Sequence, residues 1–323
     1  MEARLEIYRK ILAVIYIFLI GFFALLCLQS GDDSGALSGN VSEMVAELFG
    51  LTNTEELARY LRKLIGHFGF FCFFGLISSL LYLTFIKLKV WIRIIISVSS
   101  GFIYIFITEF GFQMIAINRG PSMNDVLLDF SGFMIFSVIT YAFYFIFRFI
   151  KLKKLYKNEK ARRIFFIVVG IAYGLLLITN IALSVINGTT SSKVSSSVSQ
   201  VVIDTVPGTG NKTVSTSDNT TQQFLRKLIG HFGYFALLGA VSYLFYTNIK
   251  KIKIKWRHLI NIIAGVGFAF ISEYIFQAMV VSRSARFNDV IINSSGFLLM
   301  TIFMLFIISS IKLILKEDDS KIF

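Results

Sequence analysis

The chain has 323 residues, of which 55% are hydrophobic, and its mean hydropathy is +0.73. This composition excludes an ordinary water-soluble domain, because stretches of about 20 mostly apolar residues are what cross a bilayer. The net charge of +13 is concentrated in the connections between apolar stretches, which argues against nucleic-acid binding. The two cysteines have no spacing typical of a disulfide framework or a metal site.

Eight apolar stretches predict an all-α polytopic membrane protein with eight transmembrane helices. They cover residues 11–29, 64–85, 94–117, 126–147, 164–186, 228–249, 259–281 and 290–311. Helices are expected because lipid offers backbone groups no hydrogen-bond partner, and these stretches are too long for barrel strands. The first stretch has a basic flank but no small-residue cleavage site after it, so it is interpreted as an uncleaved anchor.

The connection after the first stretch contains an acidic amphipathic segment with Val45, Leu48 and Phe49 on one face. Thr52 and Glu55 have the spacing of a capping box, which indicates the start of the next helix. A helix that begins there could lie on the outer leaflet before it turns into the membrane.

A repeated nonapeptide, LRKLIGHFG, begins at Leu61 and again at Leu225. The 164-residue offset then holds without a gap as far as Gly132, which indicates an internal duplication. We therefore predict two tandem four-helix units, 1–155 and 156–323. Because each unit has an even number of spans, both enter the membrane in the same direction, related by a pseudo-two-fold axis along its normal.

The distribution of basic residues predicts the orientation in the membrane. Of the 32 Lys and Arg residues, 22 fall in the two termini and in connections that would then share one side. The positive-inside rule places that side, with both termini, in the cytoplasm, facing an anionic leaflet. Trp91 and Trp256 lie at the same edge, as interfacial anchors do. On the other side, residues 187–223 are rich in Ser and Thr and predict a flexible external loop.

Polar residues recur at the 164-residue offset near the predicted outer helix ends. Lys63 and His67 are four residues apart and share a helix face, as do Glu109 and Gln113. A short link carrying Arg119 joins the third and fourth helices. The repeated set consists of Lys63, His67, Glu109, Gln113, Arg119, Asn124 and Asp125 in the first copy and Lys227, His231, Glu273, Gln277, Arg283, Asn288 and Asp289 in the second.

Two interpretations of these residues stay open. In the structural one, Arg119 pairs with Asp125 or Glu109, and His67 bonds Glu109, so that the second helix is held against the hairpin that follows. In the functional one, the cations hold an anionic head group at the outer leaflet while the His/Glu pair orients it or transfers a proton. No metal is predicted, because each motif has one His and its Glu lies on a different helix.

At these residues the chain resembles the VanZ-like family of bacterial membrane proteins. Its pattern is K-x-x-x-H-F-x-x-Y-x-x-L-G, a later E-x-x-x-Q, a short link with Arg, then D-V-x-x-N and a Gly. The second copy matches at Lys227, His231, Phe232, Leu238, Gly239, Glu273, Gln277, Arg283, Asp289, Val290, Asn293 and Gly296, and its Tyr234 stands one residue before the Tyr of the pattern. The first copy departs from the second at Phe70, Phe74 and Asp129, which align with Tyr234, Leu238 and Asn293. The resemblance therefore implies that the second copy is the better candidate for an intact site, with His231 and Glu273 as proton-transfer candidates.

The resemblance implies a protein of the bacterial cytoplasmic membrane whose family namesake is linked with teicoplanin resistance. Its expected ligand is anionic, either lipid-linked or related to a glycopeptide, and no cofactor or nucleic-acid partner is expected. A membrane-embedded hydrolase or transferase is an alternative, although the sequence offers no clear nucleophile. A transporter is another, although the Gly/Pro-broken helix pairs typical of a midplane site are missing from the sequence.

Overall fold

The computed structural model describes residues 2–52, 55–185, 219–249, 251–281 and 283–318. Within these ranges the regular structure is entirely helical, which confirms the all-α class. Eight of the described helices are long and apolar enough to cross a membrane, as the hydropathy pattern predicts. The chain is therefore a helical, multi-pass membrane protein.

The helices are numbered here in chain order. They are α1 (Glu2–Leu28), α2 (Gly31–Phe49), α3 (Glu55–Leu61, Arg62–Gly69 and Phe70–Leu83), α4 (Val90–Ile107, Thr108–Phe112 and Gln113–Ile115), α5 (Met123–Leu152), α6 (Glu159–Val185), α7 (Asn219–Arg226, Lys227–Gly233 and Tyr234–Thr247), α8 (Ile254–Ile271 and Ser272–Gln277) and α9 (Phe287–Asp318). All except α2 are candidate membrane spans. Helix α7 begins inside the range predicted as a loop, and residues 187–218 of that range lie outside the described residues.

Helix α2 is a separate amphipathic helix with defined caps at both ends. At its start, the side chain of Ser30 accepts a hydrogen bond from the Asp33 backbone N–H, which satisfies a donor that the first turn leaves unpaired. At its end, Gly50 adopts a left-handed conformation with φ of 61°, and its N–H bonds the carbonyls of Ala46 and Glu47. The two caps therefore end α2 on both sides, and it does not continue into the helices that cross the membrane.

Glycines allow α3 to pack closely on α5, and α7 on α9. A Cβ at Gly75 would collide with the backbone carbonyl of Phe133, and a Cβ at Gly239 would collide with that of Phe297. Such close backbone approach is the usual role of small residues between membrane helices. Both phenylalanines are fully buried. These contacts align the polar ends of the paired helices.

The two halves of the chain pack on each other through α1, α5 and α9. The Tyr8 hydroxyl donates to Ser310 Oγ at 2.6 Å, and Lys151 Nζ donates to the Leu315 carbonyl at 2.6 Å. Phe136 meets Phe303 edge to face. Residues of both halves therefore contribute to one buried apolar cluster.

Candidate functional site

Widened helical turns carry the repeated polar residues. Helices α3, α4, α7 and α8 each change to π-helical hydrogen bonding over Arg62–Gly69, Thr108–Phe112, Lys227–Gly233 and Ser272–Gln277. A π-helical turn redirects side chains relative to a regular helix and is frequent at functional sites. The apolar periodicity of these segments does not reveal this feature, because the change in hydrogen bonding leaves them helical and equally apolar.

In the first half, the structure brings His67 to Asp129. His67 Nδ1 lies 3.1 Å from Asp129 Oδ1, and both side chains are buried. Glu109 accepts a hydrogen bond from the Ser122 backbone N–H at 2.8 Å and another from Gln113 Nε2. The predicted His67–Glu109 bond is therefore replaced by a His67–Asp129 bond, because the oxygens of Glu109 already have donors nearer in the chain.

The predicted pairing of Arg119 with Asp125 or Glu109 is wrong. Arg119 Nη1 instead donates to the Leu26 carbonyl at 2.9 Å, at the end of α1. The last carbonyls of a helix have no intrahelical partner, so a guanidinium satisfies them well. Asp125 lies 3.4 Å from Lys63 Nζ, an ion pair that stays partly exposed.

The second half repeats this arrangement with one change of chemistry. His231 Nδ1 lies 3.1 Å from Asn293 Oδ1 and 3.5 Å from Glu273 Oε1. Glu273 also accepts from Gln277 Nε2. The nearest partner of the histidine is therefore an amide in this half and a carboxylate in the first half.

Two cations of the second half, Lys227 and Arg283, donate hydrogen bonds to protein partners. Lys227 Nζ donates to Asp289 Oδ1 at 2.8 Å and to the Phe49 carbonyl at 2.6 Å. Arg283 Nη1 donates to the Leu183 carbonyl at 2.9 Å, and burial lowers the pKa of its guanidinium. Both side chains therefore stabilise helix ends and helix contacts through bonds within the protein.

Three further predicted site residues lie apart from the His–carboxylate clusters. The Tyr234 hydroxyl donates to the Leu176 carbonyl at 2.5 Å and so joins α7 to α6. Asn288 Nδ2 lies 3.5 Å from the Glu47 carbonyl of α2. Asn124 is exposed at the start of α5.

Each cluster includes three groups with the donor atoms of a metal site. His67, Glu109 and Asp129 place ligand atoms within 4.8 Å of one another, and His231, Glu273 and Asp289 do the same. The sequence argument against a metal assumed that different helices keep these groups apart, and the fold brings them together. An imidazole with two carboxylates is a donor set for a divalent cation. His67 already bonds Asp129, and Glu109 and Asp289 accept hydrogen bonds from other protein groups, so the geometry fits a hydrogen-bonded network equally well.

A cavity of about 140 Å³ lies beside the first cluster, between α1, α2 and α3. Its polar lining includes Arg62, His67 and Arg119, and no carboxylate is among the described residues that line it. Phe23 and Leu37 are among the apolar residues that complete its wall. The cavity thus combines cationic donors with an apolar surface at one end of the bundle.

Helix α2 connects the two clusters. At its start, the Gly31 N–H donates to the Ile117 carbonyl at 2.9 Å, beside the first cluster. At its end, the Phe49 carbonyl accepts Lys227 of the second cluster. Of the predicted apolar face, Val45 and Phe49 pack in a cluster with residues of α3 and α7, whereas Leu48 is 43% exposed. Both polar clusters therefore lie at the same end of the bundle under one helix.

The predicted ligand set omitted two residues that the structure places at the first site. Asp129 is the partner of His67, and its signal was the position it shares with Asn293 at the 164-residue offset. Arg62 lines the cavity, and only its place in the repeated nonapeptide marks it. Comparisons of the chain with protein-family models, with curated proteins and with solved structures found no match.

Proposed function

We propose that the chain is a VanZ-like protein of the bacterial cytoplasmic membrane that recognises an anionic, lipid-linked ligand at the outer leaflet. The motif resemblance and the eight apolar helices support the class of protein. The asymmetry of basic residues supports cytoplasmic termini, with both polar clusters outside. The observation that carries the ligand proposal is the cavity lined by Arg62, His67 and Arg119.

The chemistry of this cavity suits a phosphate or carboxylate on an apolar carrier. A guanidinium forms short, charge-assisted hydrogen bonds with such groups, often two at once. Arg119 is held in place through Nη1 by α1 carbonyls, and a guanidinium has five N–H donors in total. Because the cavity measures only about 140 Å³, it would take a head group while the carrier chain stays in the membrane.

This proposal moves the expected site from the second half of the chain to the first. The resemblance favoured the second half, but the cationic cavity lies beside the first cluster, and Lys227 of the second half donates to Asp289 and to the Phe49 carbonyl. Lys227 also holds the end of α2, which forms one wall of the cavity. In the proposal, the second cluster positions α2 and the first cluster contacts the ligand.

A direct test measures binding of a polyprenyl phosphate and of the matching uncharged polyprenol to the purified protein in nanodiscs. The wild type is expected to prefer the phosphate. Arg62→Gln is expected to weaken phosphate binding about tenfold or more, the usual scale for hydrogen bonds to charged groups. Arg59→Gln is the matched control, since Arg59 is exposed on the same helix and outside the cavity lining. Equal binding of the two lipids, or an unchanged Arg62→Gln variant, would contradict the proposal.

A cellular test addresses the glycopeptide link separately. Teicoplanin susceptibility is compared between a strain lacking the protein and strains that express the wild type, His67→Ala or His231→Ala at matched membrane levels. The proposal expects resistance in the wild type and a larger loss in His67→Ala than in His231→Ala. If the wild type confers no resistance, the teicoplanin role is wrong, whereas the lipid-binding result stands by itself.

A further inference from the structure

A second and larger cavity opens at the opposite end of the bundle, between the two halves of the chain. It measures about 770 Å³ and is lined by residues of α5, α6, α7, α8 and α9. This size is within the range of cavities that bind small organic ligands. The same end of the bundle carries most of the basic connections. It is therefore a separate site, independent of the function proposed above.

The charged residues that the structure describes in the lining of this cavity have one sign. Among the described residues, the lining includes five cations and no carboxylate, the cations being Lys151, Arg162, Arg257, Lys312 and Lys316. Two of them have structural partners: Lys151 bonds the Leu315 carbonyl, and Arg257 bonds the Thr247 carbonyl at 2.7 Å. The remaining three lie on α6 and α9 and supply positive charge to the cavity from two directions.

The arrangement of these three cations favours a bound anion. Lys312 and Lys316 are one helical turn apart on α9 and therefore share a face, where like charges repel. Arg162 lies on α6 and lines the same cavity. An anionic group among these three side chains would offset the repulsion and link α6 to α9.

Apart from Thr247 and Asn248, the rest of the described lining is apolar or aromatic. Phe147, Phe165, Leu244 and Ile308 contribute to the wall, and Ile308 is buried. A soluble anion would gain nothing from this surface. An acyl chain would bury apolar area against it, at roughly 25 cal/mol for each Å² removed from water.

From these features we infer that the cavity binds an anionic phospholipid of the surrounding leaflet. Its phosphate lies among Arg162, Lys312 and Lys316, and one acyl chain lies along the apolar wall. Basic pockets between membrane helices at the cytoplasmic side commonly bind such head groups. The lipid fills the gap between the halves and stabilises their packing, since a ligand that binds only the folded state raises stability by mass action.

The test uses the full chain, purified in a neutral detergent, with phosphatidylglycerol or phosphatidylcholine added. Native mass spectrometry counts the lipids bound, and thermal unfolding follows the stabilisation. The wild type is expected to retain phosphatidylglycerol and to gain thermal stability from it, and phosphatidylcholine is expected to do neither. Arg162→Gln/Lys312→Gln is expected to lose both effects. Lys87→Gln/Lys89→Gln is the matched control, because both lysines are exposed in the α3–α4 connection, outside the cavity lining.

A second variant tests the apolar part of the site. Ala161 lines the cavity, so Ala161→Trp is expected to occlude it and reduce phosphatidylglycerol retention while every cation remains. Equal loss in the control and in Arg162→Gln/Lys312→Gln would show only general attraction to a basic edge and would overturn the inference. Stabilisation by inorganic phosphate equal to that by phosphatidylglycerol, or full lipid retention in Ala161→Trp, would also overturn it.

Discussion

Four arginines of this protein donate hydrogen bonds to carbonyls at or just beyond the ends of helices. Arg93 and Arg257 donate to carbonyls that follow α3 and α7, and Arg119 and Arg283 donate to carbonyls at the ends of α1 and α6. Carbonyls at a helix end lack intrahelical partners, and in a membrane few other donors reach them. Backbone carbonyls therefore explain Arg119 and Arg283 among the repeated cations at the outer end, and ligand contact is an additional role for Arg119.

The first prediction concerns Arg119. Its replacement by Ala leaves the Leu26 carbonyl without its charged donor and loosens α1 from the α4–α5 link. A hydrogen bond from a charged group contributes about 1.5–3 kcal/mol, so the free energy of unfolding in detergent is expected to fall by about that amount. Arg59→Ala, at an exposed position, is expected to change it little. Equal stability of the two variants would show that the Arg119 bond does not hold α1.

The second prediction uses the natural difference between the two histidines. Asp129→Asn keeps an oxygen acceptor for His67, as Asn293 provides for His231, and is expected to cost less than about 1 kcal/mol. Asp129→Ala leaves the buried imidazole without its partner and is expected to cost about 1–3 kcal/mol. Thermal unfolding of both variants in one detergent measures the difference. If Asn is as costly as Ala, the charge of Asp129, rather than its hydrogen bond, is what the first half requires.

At the scale of elements, helix contact depends on glycine. Gly75 and Gly239 lie against backbone carbonyls of α5 and α9, so that the helices approach more closely than any side chain would allow. The rings of Phe133 and Phe297 then occupy the space beside Gly101 and Gly265 on α4 and α8. Each three-helix contact is thus set by two glycines and one phenylalanine.

The third prediction follows from this packing. Gly75→Ala places a methyl group against the Phe133 carbonyl, so the two helices must separate, and overpacking of this kind costs about 1–3 kcal/mol. Gly174→Ala on α6 is the control, because a Cβ there meets nothing within 4 Å. The control is expected to be neutral or stabilised by about 0.5–1 kcal/mol, since Ala loses less backbone entropy than Gly. Similar melting temperatures for both variants would contradict the packing account.

The helices were predictable where hydropathy determines their position. They were not predictable where local hydrogen bonding determines their start or their type. Apolar length alone predicts the eight spans, because lipid leaves no alternative to a helix. The early start of α7 at Asn219 was missed, since its first turns are polar and extend out of the apolar region. The π-helical turns were missed because they alter which carbonyl each N–H reaches without altering composition.

At the scale of the whole molecule, the side of the membrane on which the clusters lie remains a prediction from charge, and labelling tests it. Ser284→Cys and Gly120→Cys lie in exposed links next to the clusters and are expected to react with a membrane-impermeant maleimide added to intact cells. Lys154→Cys, exposed at the other end, is expected to react only after permeabilisation. The native Cys27 and Cys72 are 2% and 6% exposed and give a low background. The reverse labelling pattern would contradict the orientation and the outer ligand site together.

The sequence predicted most of the residues of the candidate site but not the hydrogen bonds between them. Recurrence at a constant offset identified His67, Glu109 and Gln113, and all three meet in the fold. The partner of His67 was not predicted, because helix faces show which residues can point inward but not their height relative to another helix. The hydrogen bond from Lys227 to the Phe49 carbonyl, which connects the halves, was also not predicted. Every residue has a backbone carbonyl, so the sequence does not mark the one that accepts.

The backbone attachment of α2 has a consequence for how this segment can vary. Three hydrogen bonds that join it to the rest of the fold use the Gly31 N–H and the carbonyls of Glu47 and Phe49, so they depend on where the helix ends lie rather than on the side chains of its exposed face. One inserted residue, in contrast, rotates the end of the helix by about 100° and moves it by about 1.5 Å, which carries the Phe49 carbonyl away from Lys227. Helix α2 should therefore tolerate changes of residue type along its exposed face far better than changes of length.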